Sequence, residues 1–122
     1  MKTLLVVDDS AFMRNMIKKH ISELDITVVG EAEDGKEAVE KYIELKPDIV
    51  TLDLAMLDHD GIEALKEIKE YDPEAKVIIV SSTTDQDTIV DEVLDLGALA
   101  VLNKPIIKDD LVATLIDLIN EL

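Results

Sequence analysis

Short apolar runs alternate along the chain with longer segments whose apolar residues recur every three or four positions. Five such runs have the length and β-branched content of buried strands, and they lie at 4–7, 27–30, 50–56, 77–80 and 99–102. Strand and helix signals that alternate in this way favour βα units over a sandwich or a helical bundle. The pattern predicts an α/β fold in which helices flank one parallel sheet.

The segments between the runs carry helix start and stop signals. Ser10 is placed to cap the first helix, and Asp34 and Asp60 are each followed three residues later by a glutamate, as in a capping box. Gly97 suits the end of the fourth helix. The predicted inner faces are Met13, Met16, Ile17, Ile21 and Leu24; Ala38, Val39, Tyr42 and Ile43; Ile62, Leu65 and Ile68; Ile89, Val90, Val93 and Leu94; and Leu111, Val112, Leu115, Ile116 and Ile119.

Length and composition restrict the class of protein. The 122 residues are predicted to form one domain, spanning 1–122, with a sizeable apolar core. The apolar runs fall far short of the roughly 20 residues of a membrane span. The N-terminus has no cleavable signal pattern, so we expect a cytoplasmic protein without membrane insertion. Cysteine is absent, which excludes disulfides, thiolate catalysis and cysteine-ligated zinc.

The charge balance restricts the partners. The chain has 12 basic and 28 acidic residues, for a net charge of -16. Such a charge repels a phosphate backbone, so nucleic-acid binding is not expected and the partners are predicted to be proteins. Part of the acidic surplus is the solvated helix surface that many proteins carry.

Polar residues follow the predicted strands at the points where those strands end. Asp8 and Asp9 follow the first run, Asp53 lies in the third, Ser81 follows the fourth, and Lys104 comes shortly after the fifth. Ligands of open parallel sheets bind at the carboxyl ends of the strands. We therefore expect three carboxylates, a hydroxyl and an ammonium group to meet at one edge of the sheet.

These side chains suit a metal ion together with a phosphoryl group. Three carboxylates in one cleft repel each other unless a cation intervenes, and oxygen ligands favour Mg²⁺. The Lys104 ammonium group would compete with the metal ion for the same carboxylates. Its presence is explained if an anionic phosphoryl group also enters the site and contacts Lys104 and the Ser81 hydroxyl. Asp53 is the natural nucleophile, because an aspartate carboxylate can form an acyl phosphate.

The combined motif resembles that of response-regulator receiver domains, most closely the stand-alone chemotaxis CheY type. The matching segments are VDDSAFMR at 7–14, PDIVTLD at 47–53, DG at 60–61, Ser81, and KP at 104–105. The resemblance covers the whole chain. It implies a doubly wound, flavodoxin-like sheet of five parallel strands in the order 2-1-3-4-5 with five flanking helices.

The resemblance also implies a mechanism and a set of ligands. Asp9, Asp53 and the Ala55 carbonyl would bind Mg²⁺ directly, and Asp8 would act through water. The protein would accept a phosphoryl group on Asp53 from a histidine kinase of the chemotaxis type and lose it again, with or without a phosphatase. It would thus be a signalling switch more than a conventional enzyme, with a downstream target such as a flagellar switch component.

Three positions depart from the usual pattern of that family. Leu57 stands where a proline is usual, so the loop that carries the Ala55 carbonyl is predicted to be less rigid. Val101 replaces an aromatic residue, so an aromatic rotamer switch is not expected. Ser81 is favoured as the switch hydroxyl because four apolar residues precede it, although Ser82 has the more usual spacing to Lys104.

Three alternative interpretations remain at the level of sequence. The chain can be the receiver part of a longer DNA-binding regulator or methylesterase. An aspartate-nucleophile phosphatase would also use Asp, Lys and Mg²⁺, but it needs a second acid where this chain has Ala55. Finally, the acids can be plain helix caps, and a failure to bind Mg²⁺ would favour that interpretation.

The first helix is predicted to place Phe12, Arg14, Lys18 and Lys19 on its outer face. This face would be apolar and basic in an otherwise acidic protein, and it would lie beside the acidic cluster. Such a surface suits the docking of a kinase or phosphatase. The alternative is an ordinary solvated helix face that carries its share of lysines.

Overall fold

A computed structural model describes residues 2–54, 61–81 and 87–121 of the chain, with the backbone alone for 87–89. Its strands are β1 (Lys2–Val7), β2 (Ile26–Ala32), β3 (Ile49–Asp53), β4 (Val77–Ser81) and β5 (Ala100–Asn103). Its helices are α1 (Ala11–His20), α2 (Gly35–Leu45), α3 (Gly61–Tyr71), α4 (Asp87–Asp95) and α5 (Lys108–Glu121). The predicted alternation of strands and helices is confirmed. None of these helices has the length and apolar character needed to cross a membrane.

The strands form one sheet in the order β2-β1-β3-β4-β5, and every neighbouring pair is parallel. This is the predicted doubly wound topology. The chain moves outward in one direction from β1 to β2 and then in the other direction from β3 to β5, so the direction changes between β1 and β3. Ligand sites of such sheets lie at this change of direction, beyond the carboxyl ends of the strands.

Apolar side chains fill a separate layer on each face of the sheet. Successive strand residues point to opposite faces, so Leu5 and Val7 belong to one layer and Leu4 and Val6 to the other. The first layer is completed by α2, α3 and α4, with Tyr42, Leu65 and Val93 among others. The second is completed by α1 and α5, with Ile17, Leu111 and Leu115 among others. The sheet is therefore buried on both faces, as all-parallel sheets generally are.

Three residues predicted on inner helix faces are exposed instead. They are Ile43, Leu94 and Ile116, with exposed fractions of 42%, 44% and 40%. Each follows a buried residue directly, and one residue turns the side chain about 100° around the helix axis. In α5 the inward position goes to Leu118, which the sequence pattern missed and which is 7% exposed. The side chain of Ile89 lies outside the described residues.

The predicted caps at Ser10 and Asp34 and the predicted stop at Gly97 are confirmed, although Glu37 Oε1 accepts its hydrogen bond of 3.3 Å from the Glu33 amide and not, as a capping box requires, from that of Asp34. Ser10 Oγ accepts a hydrogen bond of 3.3 Å from the Met13 amide, and Asp34 Oδ1 accepts one of 2.8 Å from the Glu37 amide. Each therefore satisfies an amide of a first turn that has no partner within its helix. Gly97 follows α4 with φ of 108°, a left-handed conformation that favours glycine. Asp60, the predicted cap of α3, lies outside the described residues.

Tyr42 connects α2 to the end of α3. Its hydroxyl donates a hydrogen bond of 2.7 Å to Asp72 Oδ2, and its ring meets that of Tyr71 edge to face at 6.3 Å. Burial raises the pKa of Tyr42 above its ordinary value, and the hydrogen bond to Asp72 and the charge of Asp72 raise it further. The folded protein therefore holds the phenolic proton more tightly than the unfolded chain does.

Replacing Tyr42 by phenylalanine is expected to lower the free energy of unfolding at pH 8 by about 1–2 kcal/mol, because the hydrogen bond to Asp72 is lost. The stabilisation from the raised pKa is present below the unfolded value of about 10 and declines as the pH rises above it. Tyr42→Phe should therefore lose less stability than the wild type between pH 8 and roughly 11. Urea unfolding at both pH values measures this, and equal losses in the two proteins would contradict the role of Tyr42.

Candidate functional site

Three carboxylates meet at the carboxyl edge of the sheet, as the sequence predicts. Oxygens of Asp8, Asp9 and Asp53 lie within 4.8 Å of one another. Asp8 directly follows β1 and Asp53 ends β3, and the two strands are neighbours with Val7 paired to Leu52. Asp8 and Asp53 are 1% and 2% exposed, whereas Asp9 is exposed to solvent. Carboxylates this close repel each other unless a positive charge lies among them.

Lys104 supplies such a charge. Its Nζ lies 2.9 Å from Asp8 Oδ2 and 3.3 Å from Asp53 Oδ2. The residue follows β5, and its amide donates a hydrogen bond of 3.0 Å to the Ser81 carbonyl. The peptide bond between Lys104 and Pro105 is cis. Lys104 therefore lies beside the acids, as predicted, and contacts two of the three, Asp8 and Asp53.

Electrostatics keep Lys104 protonated at neutral pH. Burial by itself would lower the pKa of the ammonium group, but the close contact with Asp8 and the charges of Asp53 and Asp8 outweigh it. The pKa of Lys104 is therefore raised above its ordinary value. The ammonium group and the two buried carboxylates form a charged cluster of one cation and two anions, to which the exposed Asp9 adds a third anion.

The two oxygens of the Asp8 carboxylate have different partners. Oδ1 accepts a hydrogen bond of 2.9 Å from the Ser10 amide. Oδ2 is buried and accepts no hydrogen bond from the residues that the structure describes, since its 2.9 Å contact with Lys104 is an ion pair without hydrogen-bond geometry. A buried carboxylate oxygen favours a cation beside it, and the Lys104 ammonium occupies that position here.

The remaining predicted site residues are described only in part. Ser81 ends β4 at the same edge as the acids and is fully buried, one position after Val80, the pairing partner of Asp53. Ala55, Leu57 and Ser82 lie outside the described residues. Val101 is half-buried and packs against the layer that α2, α3 and α4 complete.

The prediction for Arg14 is wrong, because this side chain is buried and not on the outer face of α1. Arg14 is 9% exposed, and its Nη1 donates a hydrogen bond of 2.6 Å to the backbone carbonyl of Asp8. Its Nε donates one of 2.9 Å to Glu31 on β2. Arg14, Ile17 and Ile21 are spaced by three and four residues, so helical periodicity alone would have placed Arg14 inside.

The outer face of α1 is accordingly less basic than predicted. Lys18 lies 2.8 Å from Glu31, and its hydrogen bond lowers the pKa of Glu31, with a smaller effect from Arg14, against the opposing effect of burial. Lys19 is exposed, and Phe12 is 71% exposed. Of the four residues predicted to form a docking face, Phe12 and Lys19 retain the exposure that docking requires.

Comparison with known proteins places this geometry in a family. Residues 4–116 match the model of the response regulator receiver domain. The chemotaxis protein CheY of Thermotoga maritima is 49% identical over 104 residues, which cover 85% of this chain and 86% of that protein. The protein-glutamate methylesterase/protein-glutamine glutaminase of the same organism is 52% identical over 84% of this chain but over only 30% of its own length.

Solved structures show the same fold. The CheX-CheY-BeF3-Mg²⁺ complex from Borrelia burgdorferi contains a chain of 32% identity that superposes with a TM-score of 0.92, covering 97% of this chain and 89% of that one. The response regulator domain of Thermotoga maritima CheB superposes with a TM-score of 0.81 at 50% identity, covering 86% of this chain and 79% of that one. The family match, the identities and the fold agree. The chain belongs to the family of response regulator receiver domains.

Proposed function

We propose that the protein is a receiver in a two-component phosphorelay of chemotaxis signalling. It accepts a phosphoryl group from a histidine kinase onto Asp53 and thereby changes its binding to a downstream protein. The observation that carries the proposal is the position of Asp53, which is buried beside two further acids with the Lys104 ammonium 3.3 Å away. The similarity to CheY proteins supports the chemotaxis role.

Asp53 is the nucleophile in this proposal. One of its carboxylate oxygens attacks the phosphorus of a phosphohistidine, the P–N bond breaks, and the imidazole leaves with a proton taken from solvent. Hydrolysis reverses the state of the site, because water attacks phosphorus, the P–O bond to Asp53 breaks and inorganic phosphate leaves. Lys104 is already close enough to contact an oxygen of the transferred group, and the Ser81 hydroxyl donates to another.

The described residues fit a Mg²⁺ ion. Asp8, Asp9 and Asp53 offer only oxygen ligands, which hard divalent cations prefer, and the buried Oδ2 of Asp8 already lies 2.9 Å from a cation, the Lys104 ammonium. Asp9 and Asp53 would bind the ion directly and Asp8 through water, with the Ala55 carbonyl as a further ligand. When bound, the ion supplies positive charge to the phosphoryl oxygens. Lys104, 3.3 Å from Asp53, would supply a second positive charge to the same phosphoryl oxygens.

The partners follow from this chemistry. A histidine kinase of the chemotaxis type is the phosphoryl donor, and it or a phosphatase would contact the exposed side chains of α1, which are Phe12 near the start of the helix and Lys19 near its end. The complex of CheX with CheY from Borrelia burgdorferi supports a second protein partner that binds the receiver. A flagellar switch component is the proposed downstream target, and the cytoplasm the proposed location.

The strong match to a methylesterase receiver favours a second candidate function. In that case the same site chemistry would regulate an attached or separate esterase domain. Mixing the phosphorylated protein with either candidate target distinguishes the two functions. Binding to a flagellar switch protein supports the first, whereas inhibition or activation of an esterase domain supports the second.

Asp53→Asn is expected to abolish phosphorylation by a small phosphodonor such as acetyl phosphate in the presence of Mg²⁺. The amide can neither attack phosphorus nor ligate the ion as a carboxylate does. Intact mass spectrometry should show the gain of one phosphoryl group in the wild type and in Asp109→Asn, which changes an exposed aspartate of α5. No gain in the wild type, or a gain that persists in Asp53→Asn, would overturn the assignment.

A further inference from the structure

We propose that Arg14 is a positioning residue of the acidic cluster. Its guanidinium group holds the peptide unit between Asp8 and Asp9 and thereby fixes where the Asp9 carboxylate stands. The inference rests on the proposed function, because it concerns a Mg²⁺ site. Arg14 lies on α1, and the proposed chemistry at Asp53 does not by itself require it.

Asp8 is fixed at almost every polar atom. Its amide donates to the Ala32 carbonyl at 3.0 Å, and its Oδ1 accepts from the Ser10 amide at 2.9 Å. Its carbonyl accepts a buried hydrogen bond of 2.6 Å from Arg14 Nη1. A peptide unit is planar, so holding the Asp8 carbonyl also sets the direction of the Asp9 amide and Cα.

Arg14 is itself held in one orientation. Nε donates a hydrogen bond of 2.9 Å to Glu31 Oε1, while Nη2 lies 3.7 Å from Glu33 Oε1. The side chain is 11% exposed. The planar guanidinium group can bond Glu31 and the Asp8 carbonyl at the same time, which the single nitrogen of a lysine cannot do with the same geometry. Arg14 therefore ties the segment after β1 to β2.

Asp9 needs such support more than the other acids do. Asp53 lies in a strand that is buried throughout, and Asp8 continues the ladder between β1 and β2. Asp9 is exposed and lies in the short link between β1 and α1. Mg²⁺ demands near-ideal octahedral geometry, so a small shift of Asp9 weakens binding.

A purely electrostatic role for Arg14 makes the opposite prediction. The guanidinium is a positive charge close to the acids, so its removal would strengthen the binding of a cation if charge alone mattered. A positioning role predicts that removal weakens binding. The sign of the change in Mg²⁺ affinity therefore separates the two roles.

The test measures Mg²⁺ affinity by calorimetric titration, at a temperature where each variant is folded by circular dichroism. Arg14→Met is expected to weaken binding by about tenfold or more, as is typical for groups that orient metal ligands. Arg14→Lys, which keeps the charge, should also weaken it. Lys18→Met is the matched control, because it removes a charge and a partner of Glu31 without touching Asp8, and it should stay within about twofold of the wild type.

A second measurement needs neither metal nor phosphodonor. Amide exchange at Ser10, whose N–H donates to Asp8, should be faster in Arg14→Lys than in Lys18→Met. Unchanged or tighter Mg²⁺ binding in the two Arg14 variants would overturn the inference while leaving the proposed function intact. A wild-type protein that binds no Mg²⁺ would overturn both.

Discussion

Lys104→Met should lower the free energy of unfolding of the metal-free protein by about 3 kcal/mol and raise its affinity for Mg²⁺. The ammonium group lies 2.9 Å from one buried carboxylate and 3.3 Å from another. Removing it leaves two buried negative charges without their cation, which is far less favourable than losing a surface ion pair. The same change removes the competitor of the metal ion.

The two effects are linked and can be measured together. Urea unfolding without Mg²⁺ should show the loss of stability, and saturating Mg²⁺ should restore most of it because binding to the folded state stabilises that state. Lys108→Met, at an exposed lysine at the start of α5, is the control and should behave as the wild type does. Wild-type stability in metal-free Lys104→Met, or weaker Mg²⁺ binding, would contradict the role of Lys104 as the cation of the cluster.

Gly61→Ala should lower the free energy of unfolding by about 3 kcal/mol and impair phosphorylation of Asp53. A Cβ at Gly61 would overlap the carbonyl oxygen of Asp53 and lie 2.6 Å from Leu54 Cα. These are backbone atoms, so the steric overlap can be relieved only if α3 and the end of β3 move apart. The Gly61 amide also donates a hydrogen bond of 3.0 Å to the Leu54 carbonyl, and separation would weaken it. The displaced backbone is the one that carries the nucleophile.

Gly30→Ala is the matched control for this prediction. Its Cβ would meet the ends of flexible side chains, with Leu45 Cδ1 at 2.7 Å and Leu5 Cδ1 at 3.4 Å, and these can move aside. We expect it to cost about 1 kcal/mol of stability or less and to leave phosphorylation unchanged. Thermal unfolding and intact mass after treatment with a phosphodonor compare the two variants. Equal effects of the two alanines would show that the contact with Asp53 is not what matters.

The sheet and the acidic cluster were predictable because their signals are local in sequence. Apolar runs identify the strands, and the rule that ligands lie at the carboxyl ends of parallel strands brings together residues as distant as Asp8 and Lys104. The order of the strands came from the resemblance to a family. It does not follow from the apolar pattern, since that pattern does not say which strands are neighbours.

The charge of Arg14 predicts an exposed side chain, whereas its position in the helical repeat predicts a buried one. An arginine can be buried when its donors are satisfied, and here Glu31 and the Asp8 carbonyl satisfy them from two other segments. Those partners are far away in sequence or belong to the backbone, so the sequence alone gives no sign of them. The apolar pattern predicts Ile116 on the inner face of α5, whereas Leu118 is the buried residue there. This difference also arises from packing, which sets the rotation of α5 about its axis.

The two halves of the site belong to parts of the sheet with different local stability. Asp53 ends β3, which is buried throughout and has a partner strand on either side, whereas Lys104 follows β5, a half-exposed strand at the edge of the described sheet. Edge strands unfold locally at lower free energy than central ones. Local unfolding of β5 would therefore withdraw the ammonium group while Asp8 and Asp53 stay in place. In that short-lived form, which needs no global unfolding, the three acids would have no internal counterion.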